Sequence, residues 1–266
     1  MKKILALVLA LVLMMSATSV AFAADNSLEK IKEAGVLKLG LDVGFAPMGF
    51  YEEGTDNIIG FDIDLAAAVC EELGVTLQLV PIAWDAKELE LNGGNIDCIW
   101  NGMSITPERE ASMTMSDAYL NNCIVLLVAE GTAEKKEDLA GKVVGVQSGS
   151  FAEDVLNGDQ AEYAATLGEI VGYEDYVAAI MDLKNGNLDA VAIDDIVANY
   201  QLQVMGLEGY VVIDNLADDL YGIGFRKGEY ALAGAVQEAL YNMVQDGRMT
   251  AITDKWFGAD LFLLGK

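Results

Sequence analysis

Leu91-Asn92-Gly93-Gly94-Asn95-Ile96-Asp97-Cys98-Ile99 has a second copy, position for position, at Leu183-Lys184-Asn185-Gly186-Asn187-Leu188-Asp189-Ala190-Val191. In each, a helical pattern stops at glycine and asparagine, and a strand pattern begins at aspartate. A weaker echo sets Leu39-Gly40-Leu41-Asp42 against Val144-Gly145-Val146-Gln147. Glycine-asparagine turns before strands are common enough for one match to arise by chance. Two matches in the same order predict a pair of similar α/β lobes. Counting on from the shared leucine, Gly102 in the first copy corresponds to Asp194 in the second, both expected just beyond the carboxyl end of a strand.

The surrounding chain has the rhythm that such lobes need, with short apolar runs alternating with helical patterns. Val36 to Asp42 alternates Leu37, Leu39 and Leu41 with Lys38, Gly40 and Asp42, which suits a strand. After Gly60, the residues Phe61, Leu65, Val69 and Leu73 lay one apolar stripe along a helix that should end at Gly74. Val75 to Val80 reads as the next strand and Trp84 to Leu91 as a short helix. Open α/β sheets bind ligands beyond the carboxyl ends of their strands, so Asp42, Gly102, Gln147 and Asp194 are expected to face one cleft.

Two stretches in that cleft suit an anion. In Gly102-Met103-Ser104-Ile105-Thr106-Pro107-Glu108-Arg109, Thr106 can cap a helix and Pro107 fits its first position. Arg109 then lies in the first turn, where a cation opposes the helix dipole unless an anion meets it. A surface ion pair is the alternative. Gln147-Ser148-Gly149-Ser150-Phe151 joins a strand to a helix and presents N–H groups at the turn. Its alternative is an ordinary capped helix start.

Met1 to Ala23 reads as a secretory signal: Lys2 and Lys3, an apolar run from Ile4 to Met15, and Ala21-Phe22-Ala23 as the cleavage site. The mature chain is expected to start at Ala24, without a lipid-bearing cysteine near the junction, as a soluble exported protein. Sixteen basic against 42 acidic residues give a net charge of −26, and removal of Lys2 and Lys3 makes it more negative still. That balance argues against nucleic acid and anionic membranes as partners. With 53% apolar residues the chain can pack full cores. Cys70, Cys98 and Cys123 lie far apart, and there is no histidine, which argues against a metal site. Cys70 and Cys98 are expected to be buried as small hydrophobes, with one disulfide left open as an alternative.

Phe45-Ala46-Pro47, Gly60-Phe61-Asp62-Ile63-Asp64-Leu65, Ser104-Ile105-Thr106-Pro107-Glu108-Arg109, Ser116-Asp117-Ala118-Tyr119, Val144 to Ser150, Leu188-Asp189-Ala190-Val191 and Lys255-Trp256-Phe257-Gly258 stand in one order. Over nearly all the mature chain this resembles the exported amino-acid-binding proteins of ABC transporters. The resemblance implies the type II periplasmic-binding-protein fold: α/β, with two similar Rossmann-like lobes joined by a two-strand hinge. It implies a discontinuous first lobe, residues 24–124 and 223–266, and a second lobe of residues 125–222, with crossings near Cys123 to Val125 and Tyr221 to Gly224. It implies that Arg109, Ser104 and the N–H groups of Ser150 and Phe151 hold a ligand carboxylate. Asp194 and the carbonyl of Gly102 would hold the ammonium. Phe45 and Trp84 would flank the ligand side chain, and Asp42 and Gln147 would line the pocket. Read without the family, both aromatics are more often core residues, and Asp194 is also placed to cap a helix over Ile196 to Tyr200. The expected partners are a free L-amino acid, polar or basic, and the membrane subunits of an ABC transporter. A monomer without cofactor or metal is expected. Ala118, Met48-Gly49-Phe50 and Gly102 depart from the usual family pattern, at the hinge approach and in the pocket wall.

Two alternatives accompany this reading. An enzyme resembling cyclohexadienyl dehydratases, on the same scaffold, would need a cleft carboxylate with a raised pKa. A sensory module would share the lobes and carry a membrane segment, which is absent from the sequence up to Lys266.

Overall fold

Ser27–Ala34 forms α1, and Val36–Leu41 forms β1, whose Leu37, Leu39 and Leu41 are fully buried. A computed structural model describes residues 25–259 and 261–265; the signal expected at Met1 to Ala23 lies outside the described residues. Three short strands, β2 (Gly44–Phe45), β3 (Gly49–Tyr51) and β4 (Ile58–Ile59), form an antiparallel patch before α2 (Phe61–Leu73). The stripe on α2 packs as its period requires, with Phe61, Leu65 and Val69 fully buried, Leu73 partly so, and Gly74 ending the helix. Next come β5 (Thr76–Pro81), a 3₁₀ turn (Trp84–Ala86) that leads into α3 (Lys87–Asn92), β6 (Cys98–Ser104), α4 (Pro107–Ser112), β7 (Met113–Met115) and β8 (Leu120–Ala129).

The second series repeats the order: β9 (Val143–Gln147), α5 (Phe151–Asn157), α6 (Ala161–Ala164), β10 (Glu169–Tyr173), α7 (Tyr176–Lys184), β11 (Ala190–Asp194) and α8 (Asp195–Gln203). The long β12 (Tyr210–Arg226), α9 (Tyr230–Asp246) and α10 (Arg248–Phe257) follow.

One sheet carries both lobes, in the order β10-β9-β11-β8-β12-β6-β1-β5, with β7 against β12. The strands β5, β1 and β6 are parallel, as are β10, β9 and β11. The antiparallel pair β8 and β12 joins the two triplets. On β8, Ile124 to Val128 pairs with β11; on β12, Tyr221 to Phe225 pairs with β6; Asn121 to Cys123 and Asp218 to Leu220 pair with each other between those stretches.

The internal echo is a structural repeat down to the register. Leu39 pairs with Cys98 and Gly40 with Ile99, as Val144 pairs with Ala190 and Gly145 with Val191. The Lys38 N–H donates to Asp97 Oδ2 at 2.9 Å, and the Val143 N–H donates to Asp189 Oδ2 at 2.9 Å. Each strand-opening aspartate therefore ties its strand to the start of the central one. A Cβ on Gly40 would strike Ile96 Cδ1, and one on Gly145 would strike Leu188 Cδ1, which accounts for a glycine at the same place in the central strand of both lobes.

One expectation is corrected. Gly102 and Asp194 lie within their strands, not beyond them. The reason for Gly102 is β12, which runs antiparallel beside β6 and pairs Tyr221 with Ser104 and Gly222 with Met103, so the strand continues. Asp194 is the last residue of β11, held opposite Ile124. All three cysteines are free, with Cys70 and Cys98 buried and Cys123 half-buried; burial pushes their thiols up, Cys70 and Cys123 to about 11. Among the described residues no helix is long and apolar enough to cross a membrane.

Candidate ligand cleft between the lobes

Thr106 caps α4 as its sequence requires, its Oγ1 accepting from the Arg109 N–H at 3.2 Å with Pro107 in the first turn. The cap aims Arg109 inward. Its Nη1 donates to the Ser104 carbonyl at 2.9 Å, and its Nη2 reaches the Gly149 carbonyl on the other lobe at 3.5 Å. The guanidinium is only 5% exposed, and its nearest carboxylate among the described residues is Asp154 at 4.0 Å, whose side chain is 60% exposed. On the facing turn, Ser150 caps α5, its Oγ accepting from the Glu153 N–H, and the Gly149 N–H donates to Glu153 Oε2 at 2.8 Å. The N–H of Phe151 opens the helix, where no intrahelical acceptor exists for it.

The acid end is built around Asp194, 4% exposed, and Asp219, 6% exposed. Asn122 Nδ2 donates to both, at 2.6 Å to Asp194 and 2.9 Å to Asp219. Tyr221 Oη donates to Asp194 at 2.7 Å, and Ser104 Oγ donates to Asp219 at 2.9 Å. Burial, and then the like charge of Asp219, push the Asp194 carboxyl up to about 7. These donors are neutral, and among the described residues no cation lies within 4.0 Å of either carboxyl; the Arg109 charge acts on Asp219 from farther off. Asp194 holds the cap position of α8, but its carboxylate makes no cap bond. Its oxygens are drawn instead to Asn122 and Tyr221, which corrects the expected capping role.

Between the two ends, Gln147 Nε2 donates across the cleft to Asp42 Oδ2 at 2.7 Å. Phe45 packs on Tyr176 of the second lobe, ring centroids 5.9 Å apart. The Tyr176 hydroxyl is buried beside Ser150 and Asp194 and has no well-formed hydrogen bond. Gly102 has φ +57, and a Cβ there would lie 2.7 Å from Phe45 Cε1 and 2.9 Å from Tyr221 Cε2. Only glycine satisfies both the left-handed backbone and the space. Its N–H donates to Asp62 Oδ2 at 2.7 Å, while Tyr119 Oη donates to Asp62 Oδ1 at 2.9 Å; burial pushes this fully enclosed carboxyl up to about 7.

The structure thus brings Asp42 to Gln147, Phe45 to Gly102, and Arg109 to the Gly149–Ser150 turn. Trp84 stands apart from Phe45, in a separate cluster with Leu91, Ile96, Ile99, Met103 and Met113. Asn122, Asp219, Tyr176, Tyr221 and Lys87 belong to the cleft without having been singled out in the sequence. Lys87 had a legible sign, since it shares a helix face with Leu91 four residues on. The others lie on strands and helices whose neighbours across the cleft come from the opposite lobe.

Residues 37–259 match the family of bacterial extracellular solute-binding proteins, family 3. The chain is 31% identical over 258 residues to the L-cystine-binding protein TcyJ of Escherichia coli (strain K12), covering 96% of this chain and 94% of that protein. It is 32% identical over 235 residues to the L-arginine-binding protein of Pseudomonas aeruginosa, covering 85% and 89%. A crystal structure of an ABC uptake transporter substrate-binding protein from Streptococcus pneumoniae with bound histidine superposes with a TM-score of 0.86 at 35% identity, covering 90% of this chain and 99% of that one.

Proposed function

This chain belongs to the bacterial extracellular solute-binding proteins, family 3, and from that premise we propose that it captures a free L-amino acid between its lobes and delivers it to an ABC importer. The observation that carries the reading is the buried Arg109, whose only ion pair among the described residues is a 4.0 Å contact to the exposed Asp154, together with two buried carboxyls, Asp194 and Asp219, that no cation among the described residues approaches within 4.0 Å. A zwitterion satisfies both ends at once, because each buried charge then meets its opposite.

The ligand carboxylate is held by Arg109, by the N–H groups of Ser150 and Phe151, and by Ser104 once its hydroxyl turns from Asp219. The ammonium is held by Asp194 and the Gly102 carbonyl. Phe45 flanks the side chain, and Asp42 and Gln147 line the wall; the expected second flank, Trp84, is set apart in its own cluster. A polar or basic side chain suits the surplus of acidic groups, and the relatives named for cystine and arginine agree with that class. The lobes divide at 124/125 and 222/223, and the protein works as an exported monomer after cleavage behind Ala23. A carrier is the reading that the relatives favour, since they are named as binding proteins; the raised pKa of Asp194 is the feature that the enzyme alternative requires, and release of phenylpyruvate from prephenate or arogenate would revive it.

The test is calorimetric titration of the mature protein, unfolded and refolded to strip carried-over ligand, against the common L-amino acids. One-to-one binding of one or a few is expected, and Arg109→Ala should lose it, by a factor of about 100 or more. Silence of the wild type across the panel would overturn the reading. Affinity that survives in Arg109→Ala would overturn the site.

A further inference from the structure

Lys87 opens α3, whose buried residues are Lys87 and Leu91. A lysine on that face must bring its ammonium out of water, and this one is 5% exposed. Such burial is costly unless the charge is hydrogen-bonded and paired. Among the described residues no carboxylate comes within 4.0 Å of Lys87 Nζ. Desolvation and the neighbouring Arg109 draw its pKa down to about 8.

The compensation is of a different kind. Nζ lies 5.0 Å from the centre of the Trp84 ring and donates to the Trp84 carbonyl at 3.2 Å, both on its own lobe. Its shorter bond, 2.8 Å, goes to the Gly149 carbonyl on the other lobe. Gly149 has φ +70, and a Cβ there would lie 3.0 Å from the Asp85 Cα, so the turn is pressed against the 3₁₀ turn that precedes Lys87. Arg109 reaches the same carbonyl, and Lys87, Arg109, Gly149 and Phe151 line one cavity of about 790 Å³ at this end of the cleft. Moving the Gly149 turn away from α3 would break the Lys87 bond and return the ammonium to water.

We propose that Lys87 is a closure latch: its ammonium hydrogen-bonds the Gly149 carbonyl when the lobes shut over the Arg109 end, and so slows escape of the bound ligand. The proposal rests on the reading of this cleft as the ligand site. The Asp42–Gln147 bond joins the lobes through a different pair of side chains, so the two contacts can be broken separately by substitution.

The experiment compares wild type with Lys87→Met, which keeps the length of the stem and removes the donors, and with Lys87→Arg, which keeps donors. Dissociation and association are followed by stopped-flow fluorescence with L-arginine, L-histidine and L-cystine, using whichever binds the wild type most tightly. Lys87→Met should release ligand about tenfold faster with an association rate changed less than about twofold, and Lys87→Arg should recover part of the loss. Unchanged release in Lys87→Met, or an equal slowing of association, would overturn the latch. Should the wild type bind none of the three, the tightest binder of the calorimetric panel takes their place; should it bind nothing in that panel, the amino-acid reading fails by itself, and small-angle scattering of the ligand-free proteins decides: a larger radius for Lys87→Met supports the latch, and equal radii overturn it.

Discussion

The two lobes use one scaffold and end it in opposite ways. At the tip of the central strand the first lobe has Asp42 and the second Gln147; on the next strand the first has Gly102 and the second Asp194. Below those tips the lobes agree in register, in the aspartate before the strand on the hinge side, and in the glycine within the central strand. Above them they share nothing in charge. The backbone pairing that makes a lobe is indifferent to what stands at a strand's carboxyl end, so that end can differ without cost to the sheet. The differences are complementary: Gln147 donates to Asp42, and the lobe with a bare carbonyl at Gly102 faces the lobe with a carboxylate at Asp194.

The largest effect is expected where the two lobes differ most. Gly102→Ala puts a Cβ into a left-handed backbone against the rings of Phe45 and Tyr221. It should cost about 2–4 kcal/mol in urea unfolding and lose ligand binding with it. A cost below about 1 kcal/mol would show that the wall is looser than the first lobe's geometry requires.

A middle effect concerns pH. Asp194 and Asp62 are both pushed up to about 7, above the ordinary carboxyl value. The protonated forms are favoured in the folded closed state, so their contribution to stability is full below about pH 4 and is lost as pH rises through 7. Binding runs the other way, because the ligand ammonium needs an ionised Asp194. Affinity measured by calorimetry should fall as pH drops below about 7, by at most tenfold per unit, and Asp194→Asn should flatten that slope. Parallel pH trends for stability and affinity would contradict the pairing.

The smallest effect tests how far the repeat extends. Asp97 and Asp189 make the same strand-opening bond, but Asp97 also meets the half-buried Arg226 at 3.2 Å, whereas Asp189 meets the more exposed Lys142 at 3.1 Å. Asp97→Ala should therefore cost about 2–3 kcal/mol and Asp189→Ala about 1–2 kcal/mol in urea unfolding. Equal costs would mean that the cation adds nothing and that the backbone bond alone matters.

Much of the fold was legible because its signals are local. The stripe of Phe61, Leu65 and Val69, the Thr106-Pro107 helix start and the turns before Asp97 and Asp189 each depend on residues within a few positions of one another. Gly102 and Asp194 fall inside strands that were expected to stop before them, because a strand's end depends on its partner: β6 continues beside β12, more than a hundred residues on, and β11 is held to its last residue by Ile124 of β8. The cleft was legible in part for the same reason. Arg109, Asp42 and Gln147 announce themselves by motif or by echo, whereas Asn122 and Asp219 read as ordinary hinge-strand residues until the sheet sets them opposite each other and beside Asp194.

By itself, the sequence determined that there are two similar lobes and where their repeating strands lie, and it put Arg109 in the first turn of a helix and Asp194 near the end of a strand. Periodicity, capping and internal repetition are local properties, and they survive without any knowledge of what packs on what. Only the tertiary structure decided that Asn122 is shared between two buried carboxylates, that Asp194 bonds Tyr221 instead of capping its helix, and that Lys87 spends its charge on a carbonyl of the opposite lobe. Those contacts join residues far apart in the chain, and burial fixes their partners only when the two lobes meet.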